Sequence, residues 1–228
     1  MNINTLWVYN LPYFLSSVYP GVISVCITTC ILIAIIIASK TMVAKGNKRG
    51  TESMLNGEQL IGWLANVDKD FTANLEIRKK GQCEYINSTN TIIITKDVLE
   101  TSSVTSEAFI TMMYGEVLLA KDDKTSLVFG VKQYINRFYK GILKIILILA
   151  IFGTILQLWA GMYGTILFGI AGIIFPLSLL ALLPALIAGK KLSRNSCENL
   201  IQSGAQCENE TRLMSRIILM EYIRRCIL

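Results

Sequence analysis

Two long stretches of this chain carry no charge at all. Residues 1–39 and 145–189 contain no Lys, Arg, Asp or Glu; the 22 basic and 16 acidic side chains all fall between 40 and 144 or after 189. A soluble domain spreads its charges, with about 25% of residues charged. Here 17% are charged and 53% are hydrophobic, and the imbalance sits in the two blocks. The pattern predicts a mainly α, integral membrane protein with a polar middle segment and a polar tail.

Three transmembrane helices follow from the blocks. Residues 21–39 (GVISVCITTCILIAIIIAS) give 19 uncharged positions, about 28 Å of helix against a hydrocarbon layer of about 30 Å. Residues 145–160 form the second span and residues 165–188 the third, with a tight turn at Gly161-Met162-Tyr163-Gly164 making a helical hairpin. Pro176 and Pro184 should kink the third span, where neighbouring helices satisfy the freed carbonyls. The chain thus divides into an extracytoplasmic N-terminus with its span (1–39), a cytosolic α+β segment (40–144), a hairpin (145–189) and a cytosolic helical tail (190–228).

Orientation follows from the basic residues. Lys40, Lys45, Lys48 and Arg49 follow the first span, Lys132, Arg137, Lys140 and Lys144 precede the second, and Lys190, Lys191 and Arg194 follow the third. The positive-inside rule puts the N-terminus outside and the C-terminus in the cytoplasm. Trp7, Tyr9, Tyr13, Phe14 and Tyr19 read as an interfacial aromatic belt. The first block lacks a basic start and a small-residue cleavage site, so an uncleaved anchor is expected rather than a signal peptide. The net charge of +6 is spent at membrane edges, where it suits anionic lipid rather than nucleic acid.

In the middle segment, residues 51–64 should form a short helix, with Asn56 and Gln59 at capping-box spacing and an apolar face of Leu60, Ile61 and Leu64. Residues 74–78 and 91–95 read as strands on either side of the turn-rich INSTN. Ser102 and Ser103 open a helix to about Ala120, with Phe109, Met112, Met113, Glu116, Val117 and Ala120 at 3–4 spacing. Residues 126–140 lead back to the membrane with Tyr134, Phe138 and Tyr139. A last helix over 212–227, preceded by a helix-and-loop connection at 196–210, either lies on the membrane surface with its arginines toward lipid phosphates or packs on the cytosolic helices.

Catalytic motifs are scarce. The chain contains no His, which removes Ser-His-Asp and Cys-His arrangements. Phosphate-binding glycine loops and the G-x-S-x-G elbow are missing as well. Glu107 and Glu116 stand nine residues apart on one helix. Six cysteines form no C-x-x-C pair, and those in the polar parts should stay reduced. The spans hold no ionisable group of the kind that proton relays need.

Residues 84–119 read EYINSTNTIIITKDVLETSSVTSEAFITMMYGEVLL. In order and spacing this resembles the bacterial neutral zinc metallopeptidases, the YugP-like membrane family. That family runs from a tyrosine through a hydrophobic strand and a Ser-x-Val to His-Glu-x-Gly-His on a helix. Tyr85, Ile92–Ile94, Val98, Ser103-Val104 and Gly115 fall in register. The resemblance implies a zincin-like peptidase core in a bacterial plasma membrane, and it marks what is lost. The first ligand position is Met112, the general-base position is Met113, and the second ligand position is Glu116, with only Gly115 retained. The third ligand, an acid shortly after a Leu-Pro, falls here at Leu186, past Leu183-Pro184. The implied reading is a degenerate, catalytically inactive member with no metal, no cofactor and no catalytic residue. Such a pseudoenzyme would bind or regulate a membrane-protein partner, or a second copy of itself, among membrane lipids. The alternatives are an accessory or structural subunit held by small-residue helix faces (Gly153, Gly161, Gly169, Gly172), and an active membrane metallopeptidase with an unrecognised site. An apolar plug around Met112 and Met113 would favour the first, a flat uncovered helical face the second, and a buried perturbed carboxylate beside a pocket the third.

Overall fold

The computed structural model describes residues 3–50, 55–67, 73–121, 126–160, 162–202 and 208–227. The chain is mainly helical with one small sheet. Its elements are α1 (Ile3–Asn47), α2 (Gly57–Val67), β1 (Asn74–Arg78), β2 (Glu84–Ile86), a 3-10 turn (Asn87–Thr89), β3 (Thr91–Thr95), α3 (Lys96–Glu100), α4 (Val104–Lys121), α5 (Ser126–Ala160), α6 (Met162–Leu180), α7 (Leu182–Gln202) and α8 (Glu208–Ile227). They fall into two compact units. One holds Met1–Ile35, Tyr134–Leu183 and Ile227; the other holds Ile36–Gln133, Pro184–Cys226 and Leu228.

In the first unit, the expected first span lies inside α1 and the second inside α5. Ser24 Oγ donates to the carbonyl of Gly172 at 2.7 Å, tying α1 to α6. Of the turn expected at 161–164, residues 162–164 are helical, since α6 begins at Met162, and Gly161 lies outside the described residues. The aromatic belt falls on α1 side chains that lie outside the described residues as well. The third span, expected as one helix over 165–188, is two helices broken at Ala181. Pro184 explains the break. It has no N–H to give to the carbonyl of Leu180, and its ring crowds that carbonyl, but in the first turn of a new helix neither matters. The end of α6 is closed by Ala181 N–H and Tyr139 O–H, which both donate to the Ser178 carbonyl, at 3.0 and 2.8 Å.

Two helical stretches, Cys26–Asn47 and Gly172–Gln202, are long and apolar enough to cross a membrane. Among the described residues, every exposed large hydrophobic except Leu75, Ile77 and Tyr134 lies in one of the charge-free blocks. A row such as Ile23, Ile27, Ile31, Ile33 and Ile37 would be a large unsolvated patch in water.

The second unit carries the sheet and the polar core. Residues 51–54 lie outside the described residues, and α2 starts at Gly57 behind the expected capping box. Gln59 N–H donates to Asn56 Oδ1 at 2.8 Å, and Asn56 N–H donates back to Gln59 Oε1 at 3.0 Å. The strands lie in the order β1-β3-β2, with β3 parallel to β1 and antiparallel to β2. A central strand covered on both faces reads as a continuous apolar run, which is why Ile92, Ile93 and Ile94 are all buried. The third strand, β2, occupies part of what reads as a turn. Its reversal into β3 uses Asn90 in the left-handed region (φ 47°), a conformation Asn tolerates.

Ser103 caps α4: its Oγ accepts from Ser106 N–H at 3.2 Å. Thr105 Oγ1 donates to the carbonyl of Val43 at 2.8 Å, and a Cβ on Gly46 would run into Thr105, so α1 and α4 meet backbone to backbone. On the other side, α7 is buried along Ala185, Ala188, Gly189, Leu192, Ser193 and Ser196. This small-residue stripe lets α8 approach closely. Gly189 faces the ring of Tyr222, and Ser193 Oγ donates to the Ser215 carbonyl at 2.8 Å. The residues expected to begin a separate tail at 190 therefore continue α7. The last helix packs rather than floats: Met214, Ile217, Ile218, Tyr222 and Cys226 have no exposure.

Candidate functional site

The segment that resembles a peptidase motif is the middle of α4. An amphipathic helix was expected here. Instead every residue from Val104 to Val117 is buried except the half-buried Phe109. The sheet, α2, α7 and α8 surround it in the second unit, so its polar residues are buried too.

Met112 and Met113 are 0% and 1% exposed. Met113 faces a cavity of about 150 Å³ whose walls are apolar, including Ile61, Ile92, Ile94 and Ile110. Gly115 is a close approach between α4 and α7. A Cβ there would stand 1.9 Å from Ser196 Oγ and 3.0 Å from Ser196 Cβ. Gly115→Ala is therefore expected to cost about 1–3 kcal/mol through overpacking, read by thermal unfolding of the detergent-solubilised chain. Adding Ser196→Gly should recover most of that loss. A neutral Gly115→Ala would mean that α4 and α7 stand further apart.

Glu116 is the unusual residue. It has no exposure, and neither carboxylate oxygen has a well-aligned hydrogen-bond partner. Burial raises its pKa above the ordinary carboxylate value, against the opposing pull of Lys132, Arg225 and the Tyr85 backbone N–H. Its field reaches the Tyr85 and Tyr222 hydroxyls and the Cys226 thiol, which burial pushes up to about 11. The Tyr222 hydroxyl donates to the Val128 carbonyl at 2.7 Å, and the Tyr85 hydroxyl to Asn90 Oδ1 at 3.0 Å. The Ser196 and Thr111 hydroxyls and Arg225 Nη1 are further buried atoms without a partner. Unpaired buried polar atoms cost about 1–3 kcal/mol each, so this core carries a concentrated debt of polarity.

The motif positions do not all meet. Met112, Met113, Gly115 and Glu116 share α4. Leu186 is 48% exposed near the start of α7, and the α7 residues that face Gly115 are Leu192 and Ser196. Tyr85, Lys132, Tyr222, Arg225 and Cys226 come from three other elements, β2, α5 and α8, and nothing in their spacing marks them. The one legible signal is the small-residue stripe of α7, which identifies a face for close helix packing.

These residues do not suit the zinc that the resemblance implies. Hydrolytic zinc takes imidazole and carboxylate ligands and keeps one open position. Two thioethers, a hydroxyl and one carboxyl give a single suitable donor. A sealed acid offers no open face from which to activate water. Glu116 meets half of the condition for an unrecognised active site, being buried and perturbed, but it lines neither the Met113 cavity nor the groove between α1 and α8.

No family model, curated protein or solved structure matches this chain.

Proposed function

We propose that this chain is a multi-pass membrane protein built on a peptidase-like frame that has lost its chemistry, and that it works by binding a membrane partner rather than by hydrolysis. The observation that carries this reading is the filling of the motif positions. Met112, Met113 and Glu116 are all buried in the core around α4. A short helix, α2, and the expected strands β1 and β3 precede α4, in the order the resemblance implies, with β2 and α3 added. The membrane reading is supported by the two apolar stretches and by the confinement of exposed large hydrophobics to the charge-free blocks. Three spans, with the N-terminus outside and the polar parts inside, is the topology that the basic residues favour.

The alternative of an accessory subunit held by glycine faces keeps part of its support. Gly172 is occupied within the chain by Ser24, whereas a side chain added at Gly169 would meet open space.

The test is the metal content of the purified chain by elemental mass spectrometry, beside a variant carrying Met112→His, Met113→Glu and Glu116→His. Zinc is expected only in the variant. Stoichiometric zinc in the natural chain would overturn the inactive reading; zinc in neither would favour the accessory subunit.

A further inference from the structure

The second unit contains a groove of about 320 Å³ between the end of α1, the segment before β2, and α8. Its size is at the lower end of small-ligand sites, about 300–1,000 Å³. Its charge is uneven. Lys40, Arg224 and Arg225 line it, and Glu221 is the sole acid among the lining residues. Glu221 already serves both arginines. It accepts from Arg224 Nε and Nη2 at 2.8 and 2.6 Å and from Arg225 Nε at 3.0 Å, and Ser39 Oγ donates to it at 3.3 Å. One carboxylate therefore faces three cations. Arg225 is buried to 5% side-chain exposure, and its Nη1 has no partner. A guanidinium is always charged and seldom left buried without full pairing, so this groove is short of negative charge.

The groove's position along α1 is also informative. Ser39 is the last residue of the first charge-free block and Lys40 the first charge after it, on a helix that continues unbroken to Asn47. At 1.5 Å per residue, the wall from Ser39 to Ala44 covers about 8 Å beyond the charge-free block, at the charged end of the apolar stretch Cys26–Asn47. That is the depth of lipid headgroups, which extend the bilayer from about 30 Å to about 40–45 Å.

We infer that this groove binds a phosphate-bearing anion, seated on Lys40, Arg224 and Arg225, with the headgroup of an anionic phospholipid as its occupant. The inference uses only the membrane part of the proposed function and is independent of the peptidase-like frame. Glu221 takes Nε and Nη2 of Arg224 and Nε of Arg225, which leaves the remaining guanidinium N–H donors for phosphate oxygens, and Lys40 adds a point charge. Glu221 orients the two arginines rather than neutralising them. The cytoplasmic leaflet supplies anionic lipid at this depth.

The full chain in nonionic detergent should be examined by native mass spectrometry with phosphatidylglycerol and phosphatidylcholine of equal acyl length. Retention of phosphatidylglycerol is expected to be about tenfold stronger. Lys40→Gln, an exposed position, should reduce that preference several-fold without moving the melting temperature, and adding Arg224→Gln should abolish it. Lys190→Gln with Lys191→Gln, outside the groove, should leave it intact. In a second arm, inorganic phosphate is added to lipid-free chain. A Lys40-dependent rise in melting temperature without lipid selectivity would keep the phosphate site and assign it to a soluble ligand. Equal retention of both lipids with no phosphate effect, or a preference that Lys40→Gln does not change, would overturn the inference. Alkaline carbonate extraction of cell membranes reports separately on the membrane reading: release of the chain would sink that reading and leave the phosphate arm to judge the groove.

Discussion

Replacing Glu221 with alanine is expected to destabilise the folded chain by about 3–5 kcal/mol, the largest effect of any single substitution considered. Its side chain is 4% exposed and bridges Arg224 at 2.6 Å and Arg225 at 3.0 Å. Removing one partner of a buried ion network leaves the others charged and undersolvated, and an arginine has no neutral form to retreat to. The same geometry sets a pH dependence. Burial alone would raise the Glu221 pKa, but the two guanidiniums outweigh it and hold the carboxyl below its ordinary value. A depressed folded-state pKa contributes stability that is fully present above the unfolded value, ordinarily about 4.5, and lost as pH falls through the folded value. Chemical denaturation in detergent between pH 7 and pH 3 should show that loss. It should be absent in Glu221→Gln, which keeps the shape and removes the charge. A Glu221→Ala chain as stable as the natural one would mean that water or a bound anion compensates the two arginines.

The opposite result is expected at Glu116. Glu116→Met replaces a sealed, unpartnered acid with a side chain of similar length and no polar atom. It should stabilise the chain by about 1–3 kcal/mol at pH 7, the usual cost of an unmet buried polar group. Here the folded-state pKa is raised, because burial disfavours the charged form more than Lys132 and Arg225 favour it. The folded chain binds more protons than the unfolded chain between the ordinary value of 4.5 and the raised one. Stability from this group therefore falls as pH climbs through that window, the reverse of Glu221. Glu116→Met should remove this decline. Destabilisation by Glu116→Met would instead show that the carboxylate has a partner, such as a bridging water to Arg225, whose orphaned Nη1 would then be explained.

Local chemistry was legible where it acts within a few residues. The capping box of Asn56 and Gln59 needs three residues of spacing and forms as expected. The helix starting at Ser103 and the strands at 74–78 and 91–95 follow from capping and β-branching in the same way. The strand Glu84–Ile86 was not legible, because three residues hold too little alternation and its pairing with β3 is a property of the sheet. The break at Ala181 was half legible: two prolines announce a disturbance, but the first-turn position of Pro184 turns it into a helix start rather than a kink.

The candidate site divides along the same line. The sequence by itself determined the identities of Met112, Met113 and Glu116, the lack of any histidine, and where uncharged surface must be hidden from water. Residue identity and hydrophobic period are carried along the chain. Only the tertiary structure decided that α4 is enclosed, that Ser196 rather than Leu186 meets Gly115, that Glu116 has no well-aligned partner, and that Lys40 and Arg225, 185 positions apart, share one groove. Burial and electrostatic coupling depend on which surfaces meet after close packing, and no local pattern encodes which helix will supply the facing atom.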